Sequence, residues 1–335
     1  MNLHTHAQFE QTLRRAQRPQ IEWRTVALIG ACYAVWIASG LLYAAAPWLA
    51  FPLLALPIVL HSSLQHEAIH RHPTRSDRWN EALVFLPLGL IYPYRRYRET
   101  HLRHHVDSRL TDPYDDPESF YLAQSDHRRL PRVVRLLLAA NNTLTGRLVI
   151  GPAIAAARFL LAEARVVVRL RGKELRVWAK AWTLHACGLV LVLGIVRLVF
   201  AMPLAAYFGA AYLGMALLGV RTFCEHRWAH AVDARTVIVE RSWLSLLFLH
   251  NNLHLVHHKQ PHLPWYALPA AYRARRAEWL ALNEGYVFTG YRAVLRAHAL
   301  RAKEPLVHPL NRVPDTPPQA SKSAQSGCRL NAAAI

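Results

Sequence analysis

The stretch TVALIGACYAVWIASGLLYAAAPWLAFPLLALPIVL, from Thr25 to Leu60, contains no Asp, Glu, Lys or Arg. It is long enough to cross a bilayer and return, and Pro47 divides it. One span is expected from about Val26 to Ala46 (26–46) and another from about Trp48 to Leu64 (48–64). A second apolar block, Ala181 to Val220, holds one charge, Arg197, and divides near Ala201 to Pro203. It yields spans of about 181–201 and 202–220. Arg197 lies one turn from the outer end of its span, where its stem can snorkel to the interface. Two uncharged blocks of this length are not globular cores. His4, Glu10, Arg14, Arg15 and Arg18 precede the first of them, unlike the charged-then-apolar plan of a cleaved signal peptide. The spans therefore read as permanent.

The rest of the composition fits that frame. Of 335 residues, 53% are hydrophobic and 18% charged, and four scattered cysteines exclude a disulfide-stapled scaffold. Forty Lys and Arg against 21 Asp and Glu give a net charge of +19. In a soluble protein that excess would suggest a nucleic-acid partner. Here the turns near Pro47 and Pro203 carry no Lys or Arg, while the amino terminus, the middle segment and the last third carry nearly all of it. By the positive-inside rule these three segments lie in the cytoplasm, so the charge is mainly a topology signal and no nucleic acid is expected. The fold class is all-α integral membrane, with four transmembrane helices in two hairpins. Between the hairpins, Ala82 to Tyr94 and Leu136 to Leu161 are shorter apolar runs flanked by aromatic and basic residues, expected as interfacial helices on the membrane surface. Ser242 to Leu249 is similar. The main domain covers 1–311, and 312–335, rich in Pro, Ser, Gln and Ala, is expected to be a disordered tail.

Histidine supplies 20 residues, about three times a usual share. More than half fall in four clusters: His66-Glu67-Ala68-Ile69-His70, His101-Leu102-Arg103-His104-His105, Cys224-Glu225-His226 and His254-Leu255-Val256-His257-His258. Each follows an apolar segment on the same expected side of the membrane. On a helix His66 and His70 share a face, as do the i, i+3, i+4 sets of the second and fourth clusters. Imidazoles so gathered repel when protonated and gain nothing structural when neutral. A metal makes the arrangement favourable, and iron, zinc and copper all suit neutral imidazole. Two H-x-x-H-H patterns arise together by chance at only a few parts per thousand, on the order of what this histidine content allows.

Two competing metal readings are weaker. His66-Glu67-x-x-His70 also matches the zinc protease motif, with Glu67 as base, but leaves about six clustered histidines unused. Ferritin-like di-iron proteins need Glu-x-x-His twice, and Glu67 to His70 is the single instance here.

With these motifs in order, the chain resembles the membrane fatty acid desaturase family, marked by three histidine boxes on the cytosolic side of four transmembrane helices. Its boxes are matched by His66/His70, by His101/His104/His105 and by His254/His257/His258. His226, six residues after Val220, stands where desaturases use a lone histidine. Thr111-Asp112-Pro113 and Asp116-Pro117-Glu118-Ser119 after the second box, and Leu263-Pro264-Trp265-Tyr266 after the third, give it the style of a bacterial member, hence of an inner-membrane protein. The resemblance implies nine ligands for two Fe ions: His66, His70, His101, His104, His105, His226, His254, His257 and His258. It further implies an enzyme that uses O2 and an external electron donor to introduce a double bond into the acyl chain of a lipid. A lipid or carotenoid hydroxylase or ketolase on the same scaffold is the alternative.

Carboxylates are expected to hold ligand imidazoles in the right tautomer. Glu67, Asp107, Asp112, Asp116, Glu225 and Asp233 lie near enough in sequence, with Asp107 and Glu225 the favoured pair. Asn251 and Asn252 could place an amide near the metal. The chain shows no dinucleotide fingerprint, flavin motif or haem domain, so a small acidic donor such as a ferredoxin, or a b-type cytochrome, is expected at the basic face. Arg95, Arg96, Arg98, Arg103, Arg128, Arg129, Arg132 and Arg135 are the candidate dock, or else bind anionic lipid headgroups.

Overall fold

A computed structural model describes residues 21–310, the side chain of Asp107 excepted. The expected tail, 312–335, lies outside the described residues. Among the described residues, four helices are long and apolar enough to cross a membrane. They are α1 (Trp23–Leu42) and α2 (Pro47–Ile69), then, after seven shorter elements, a pair spanning Gly172–Leu198 and Leu204–Cys224. The two hairpins are those expected, with shifted ends. Pro47 opens α2 rather than merely dividing the block, since proline at the first helical position lacks only an N–H that no preceding turn would accept. The same helix runs on past Leu64, because His61, Ser63, Gln65, His66 and Glu67 are buried against other elements and need not end it. The third span begins at Gly172, its charged first turns continuing into the apolar part that hydropathy alone detects.

In chain order the connecting helices are α3 (Asp77–Leu83), α4 (Tyr94–His104), α5 (Gln124–Arg129), α6 (Arg132–Asn141), α7 (Leu144–Val149) and α8 (Gly151–Val167), before α9 (Gly172–Leu198) and α10 (Leu204–Cys224). The last third holds α11 (His254–Lys259), α12 (Leu268–Ala274), α13 (Arg276–Leu282) and α14 (Tyr291–His298). A two-residue parallel pair joins β1 (Ile238–Val239) to β2 (Val287–Phe288).

The element α2 packs against both α1 and α10. One core joins Trp36, Leu54, Ile58, Leu88, Val192, Phe200 and Tyr207. Within it Trp36 Nε1 donates to Tyr207 Oη at 3.1 Å, and that hydroxyl donates to the Leu88 carbonyl at 3.0 Å. The bonds satisfy the polar tips that these large aromatic residues would otherwise bury alone. Val190, Leu191, Leu198 and Val199 point outward and exposed, as lipid-facing residues do.

The run from Ala82 to Tyr94 departs from expectation. Only Ala82, Leu83 and Tyr94 are helical; Pro87 and Pro93 interrupt the rest, and Val84 and Leu88 are wholly buried. It is a core-filling irregular stretch, not an interfacial helix. The run from Leu136 to Leu161 divides into the end of α6, then α7 and most of α8, and exposes Leu136, Leu137, Val149, Leu160 and Leu161 as a surface resting on lipid would.

One buried junction fixes the second box relative to the membrane helices. Glu163 on α8 accepts from Arg96 Nε and Nη2 on α4, at 2.9 Å each, and from Trp178 and Trp182 Nε1 on α9, at 2.8 and 2.9 Å. Arg96 and Glu163 are 7% and 4% exposed, so the charges are neutralised in place rather than by water.

Candidate metal centre

Three helices and one loop converge. The last turn of α2 carries His66 and its C-cap His70, while α4 carries His101 and His104 with His105 as its C-cap. The six-residue α11 carries His254, His257 and His258. His226 follows α10 by two residues and pairs with Thr236 through an isolated antiparallel bridge. All nine histidines expected from the sequence are brought together.

They form two groups rather than one: His66, His70, His101, His105 and His257, and His104, His226, His254 and His258. Within each, one potential ligand atom per residue lies within 4.8 Å of all the others. Both H-x-x-H-H boxes are divided between the groups. On α4 the i, i+4 pair His101 and His105 serves the first and His104 the second. On α11 the i, i+4 pair His254 and His258 serves the second and His257 the first.

The nitrogens meet edge to edge. His101 Nε2 lies 3.1 Å from His70 Nε2 and 3.0 Å from His105 Nε2, and His105 Nε2 lies 3.2 Å from His257 Nε2. In the second group His226 Nε2 is 3.0 Å from the Nε2 atoms of both His104 and His254, and His254 is 3.2 Å from His258. A ring nitrogen either donates once or accepts once, so it cannot satisfy two such neighbours by hydrogen bonding. Ligand nitrogens at about 2.1 Å from one ion, at 90° to 110°, are separated by roughly 3.0–3.4 Å. The observed spacings match the edges of coordination polyhedra. His66 Nε2, buried and without a hydrogen-bond partner, fits the same account.

Burial, reinforced by the neighbouring imidazoles, lowers the pKa of His70, His254, His257 and His258 well below the ordinary value and that of His105 to about 2. His226 is lowered in the same way, chiefly by burial. These rings are therefore neutral at pH 7, the form that binds metal. His104 differs: burial opposes its charge, but Glu118 and Asp116 outweigh burial and push it up to about 9. Burial would raise the Glu118 carboxyl, yet His104 and His101 hold it well below the usual range.

The carboxylates nearest the rings are Asp116 and Glu118. Asp116 Oδ1 lies 2.8 Å from His104 Nδ1, and Glu118 Oε1 lies 2.9 Å from His101 Nδ1. Asn251 Oδ1 is 2.9 Å from His254 Nδ1. Since these oxygens accept, each Nδ1 carries the proton and each Nε2 faces its group. Glu225, favoured from the sequence, sits 3.7 Å from His254 Nδ1 and 2.8 Å from Arg221 Nε. Glu118 is not legible as a partner in the sequence because 17 residues separate it from His101, and only the folding of the intervening loop closes that distance.

Residues near the boxes have other employment. Glu67 accepts from the Trp265 backbone N–H at 3.0 Å, tying the first box to the loop after the third. His61 meets Tyr33 Oη at 3.2 Å, and His72 forms a buried pair with Glu22 at 2.7 Å. Of the expected docking arginines, Arg95 pairs with Glu81, Arg96 with Glu163 and Arg98 with Asp77, whereas Arg103, Arg128, Arg129 and Arg132 are exposed.

A cavity of about 50 Å³ runs beside α2 within two turns of His66, lined by Ile58, Ser62, Gln65, Leu90, Tyr92 and Met215 among others. Gly214 lets α10 approach here, since a Cβ would lie 2.9 Å from Ile58 Cγ2 and 3.2 Å from the Ala55 carbonyl.

Four apolar helices, with nine imidazoles converging from α2, α4, α11 and the loop after α10, define an integral membrane protein with a histidine-lined centre. The sequence model of the fatty acid desaturase family matches residues 43–290, most of the chain, and the protein belongs to that family. It is therefore an oxidoreductase acting on acyl chains, of a family that generally uses two irons. No curated protein matches the chain.

Proposed function

We propose that the two histidine groups hold two Fe ions, five ligands on one and four on the other, and that the enzyme introduces a double bond into the acyl chain of a membrane lipid. The observation that carries this reading is the division of nine imidazoles, six buried and three half-buried, into two sets at coordination spacing. Bound iron, with O2 and two electrons from an external donor, supplies the oxidising power that a methylene requires, because its C–H bond is too weakly acidic for any side-chain base. The protein does the rest. Asp116, Glu118 and Asn251 fix the tautomers of three ligands, and Asp107 and Glu225 remain candidates for the same support.

The positive-inside bias of the arginine-rich segments supports a cytoplasmic side for the centre and both termini, within reach of a ferredoxin or b-type cytochrome. A hydroxylase would use the same groups and differ only in how the chain is held. The test is expression in a bacterial host with a reductase and ferredoxin, beside a His257→Ala control, followed by mass spectrometry of the lipids. A lipid lighter by two hydrogens only with the intact protein is expected. A gain of one oxygen would make it a hydroxylase, and zinc in place of iron in the purified protein would overturn the proposal.

A further inference from the structure

His226 is the histidine of the nine that is neither on a helix nor at a helix cap. It lies on no helix, since α10 ends at Cys224. His101, His104 and His254 each have an oxygen-bearing side chain at Nδ1. Among the described residues no side chain hydrogen-bonds Nδ1 of His226. The ring must therefore be aimed by its main chain. One edge of that main chain is secured: Arg227 N–H donates to the Arg235 carbonyl at 2.9 Å and Val237 N–H to the Glu225 carbonyl at 3.0 Å. In such an antiparallel bridge the His226 carbonyl faces the opposite edge.

There it accepts from the ammonium of Lys303. Lys303 belongs to a strap, residues 299–308, beyond the stretch matched by the family. The strap is pinned along its length. Thr145 N–H donates to the Ala299 carbonyl at 3.0 Å, Lys303 N–H to the Asn142 carbonyl at 2.9 Å, and Leu122 N–H to the Leu306 carbonyl at 2.8 Å. Tyr121 Oη donates to Glu304 Oε2 at 2.6 Å and accepts from Trp228 N–H at 2.7 Å, so the strap also grips the chain two residues after His226. The Lys303 ammonium itself lies over the rings of Phe120 and Phe223, at 4.5 and 5.6 Å. An amine threaded between two aromatic faces to reach one carbonyl is not a solvated surface charge.

We infer that Lys303 is a positioning residue for the second histidine group: through the His226 carbonyl it sets the loop so that Nε2 meets His104 and His254. The inference rests on the proposed reading of that group as a metal site. The test uses the full chain as wild type, Lys303→Met and Lys303→Arg, purified in detergent. Iron per chain is counted, iron is titrated back after chelation, and melting is followed in the chelated forms. Lys303→Met is expected to bind its second iron about 10- to 100-fold more weakly. It then retains one iron where the wild type retains two. Lys303→Arg restores the second, because a guanidinium also donates to a carbonyl, and chelated Lys303→Met melts as the chelated wild type does. Two irons held by Lys303→Met with wild-type affinity would overturn the assignment and leave the metal reading standing. So would loss of both irons with a melting temperature several degrees lower, which would make Lys303 a strut of the fold. A wild type that binds no iron would overturn the metal reading and this inference with it.

Discussion

At the scale of single residues, the histidines were legible and their partners in part: Asp116 and Asn251 stand among the candidates that the sequence offers, whereas Glu118 does not. An i, i+4 spacing fixes which imidazoles share a helix face, and that is local geometry. The carboxylates that meet their Nδ1 atoms come from a loop whose path depends on its own turns. Asp116 illustrates this: its Oδ2 accepts from Thr111 N–H at 2.8 Å, and its Oδ1 accepts from Glu118 N–H at 2.9 Å while facing His104. One carboxylate both shapes the loop and orients a ring. Asp116→Asn keeps the size but removes the charge that makes His104 a stronger base. It is expected to weaken metal binding by about 10- to 100-fold, measured by competition with a chelator. Unchanged binding would show that shape alone suffices.

Elements were legible where composition is uniform and illegible where packing decides. The four spans follow from apolar runs that leave water no other solution. The stretch after α3 has the same apolar character yet fills a core, because Pro87 and Pro93 forbid the helix that would have laid it on the surface. The clamp of Glu163 on Arg96, Trp178 and Trp182 was equally invisible, since 67 residues separate the charged partners. It is what locks α4, and with it the second box, to α8 and α9. Removing one member of a buried ion pair costs about 3–5 kcal/mol. Glu163→Ala should therefore lower thermal stability markedly and scatter His101, His104 and His105 enough to lose metal. Arg96→Met combined with Glu163→Leu should recover much of the stability, and equal melting of wild type and Glu163→Ala would count against the clamp.

For the whole molecule, the positive charge proves to be divided among tasks. Arg95, Arg96 and Arg98 are engaged in ion pairs with the protein's own carboxylates, so a partner would meet Arg128, Arg129 and Arg132 instead. Arg128→Glu with Arg129→Glu is expected to raise the KM for an acidic donor several-fold at low salt, with kcat preserved and the difference shrinking as salt rises. A donor KM that did not move would leave those arginines to the lipid surface.

The sharing of each H-x-x-H-H box between the two groups also has a mechanical side. Neither α4 nor α11 belongs to one group; each brings two histidines to one and the remaining histidine to the other. A tilt of either helix would pull at both sets of nitrogens together, so the distance between the centres becomes a gauge of the angle between two short rods. Whatever braces those rods, whether Glu163 from one side or the loop bound by Glu67 from the other, sets that gauge from afar.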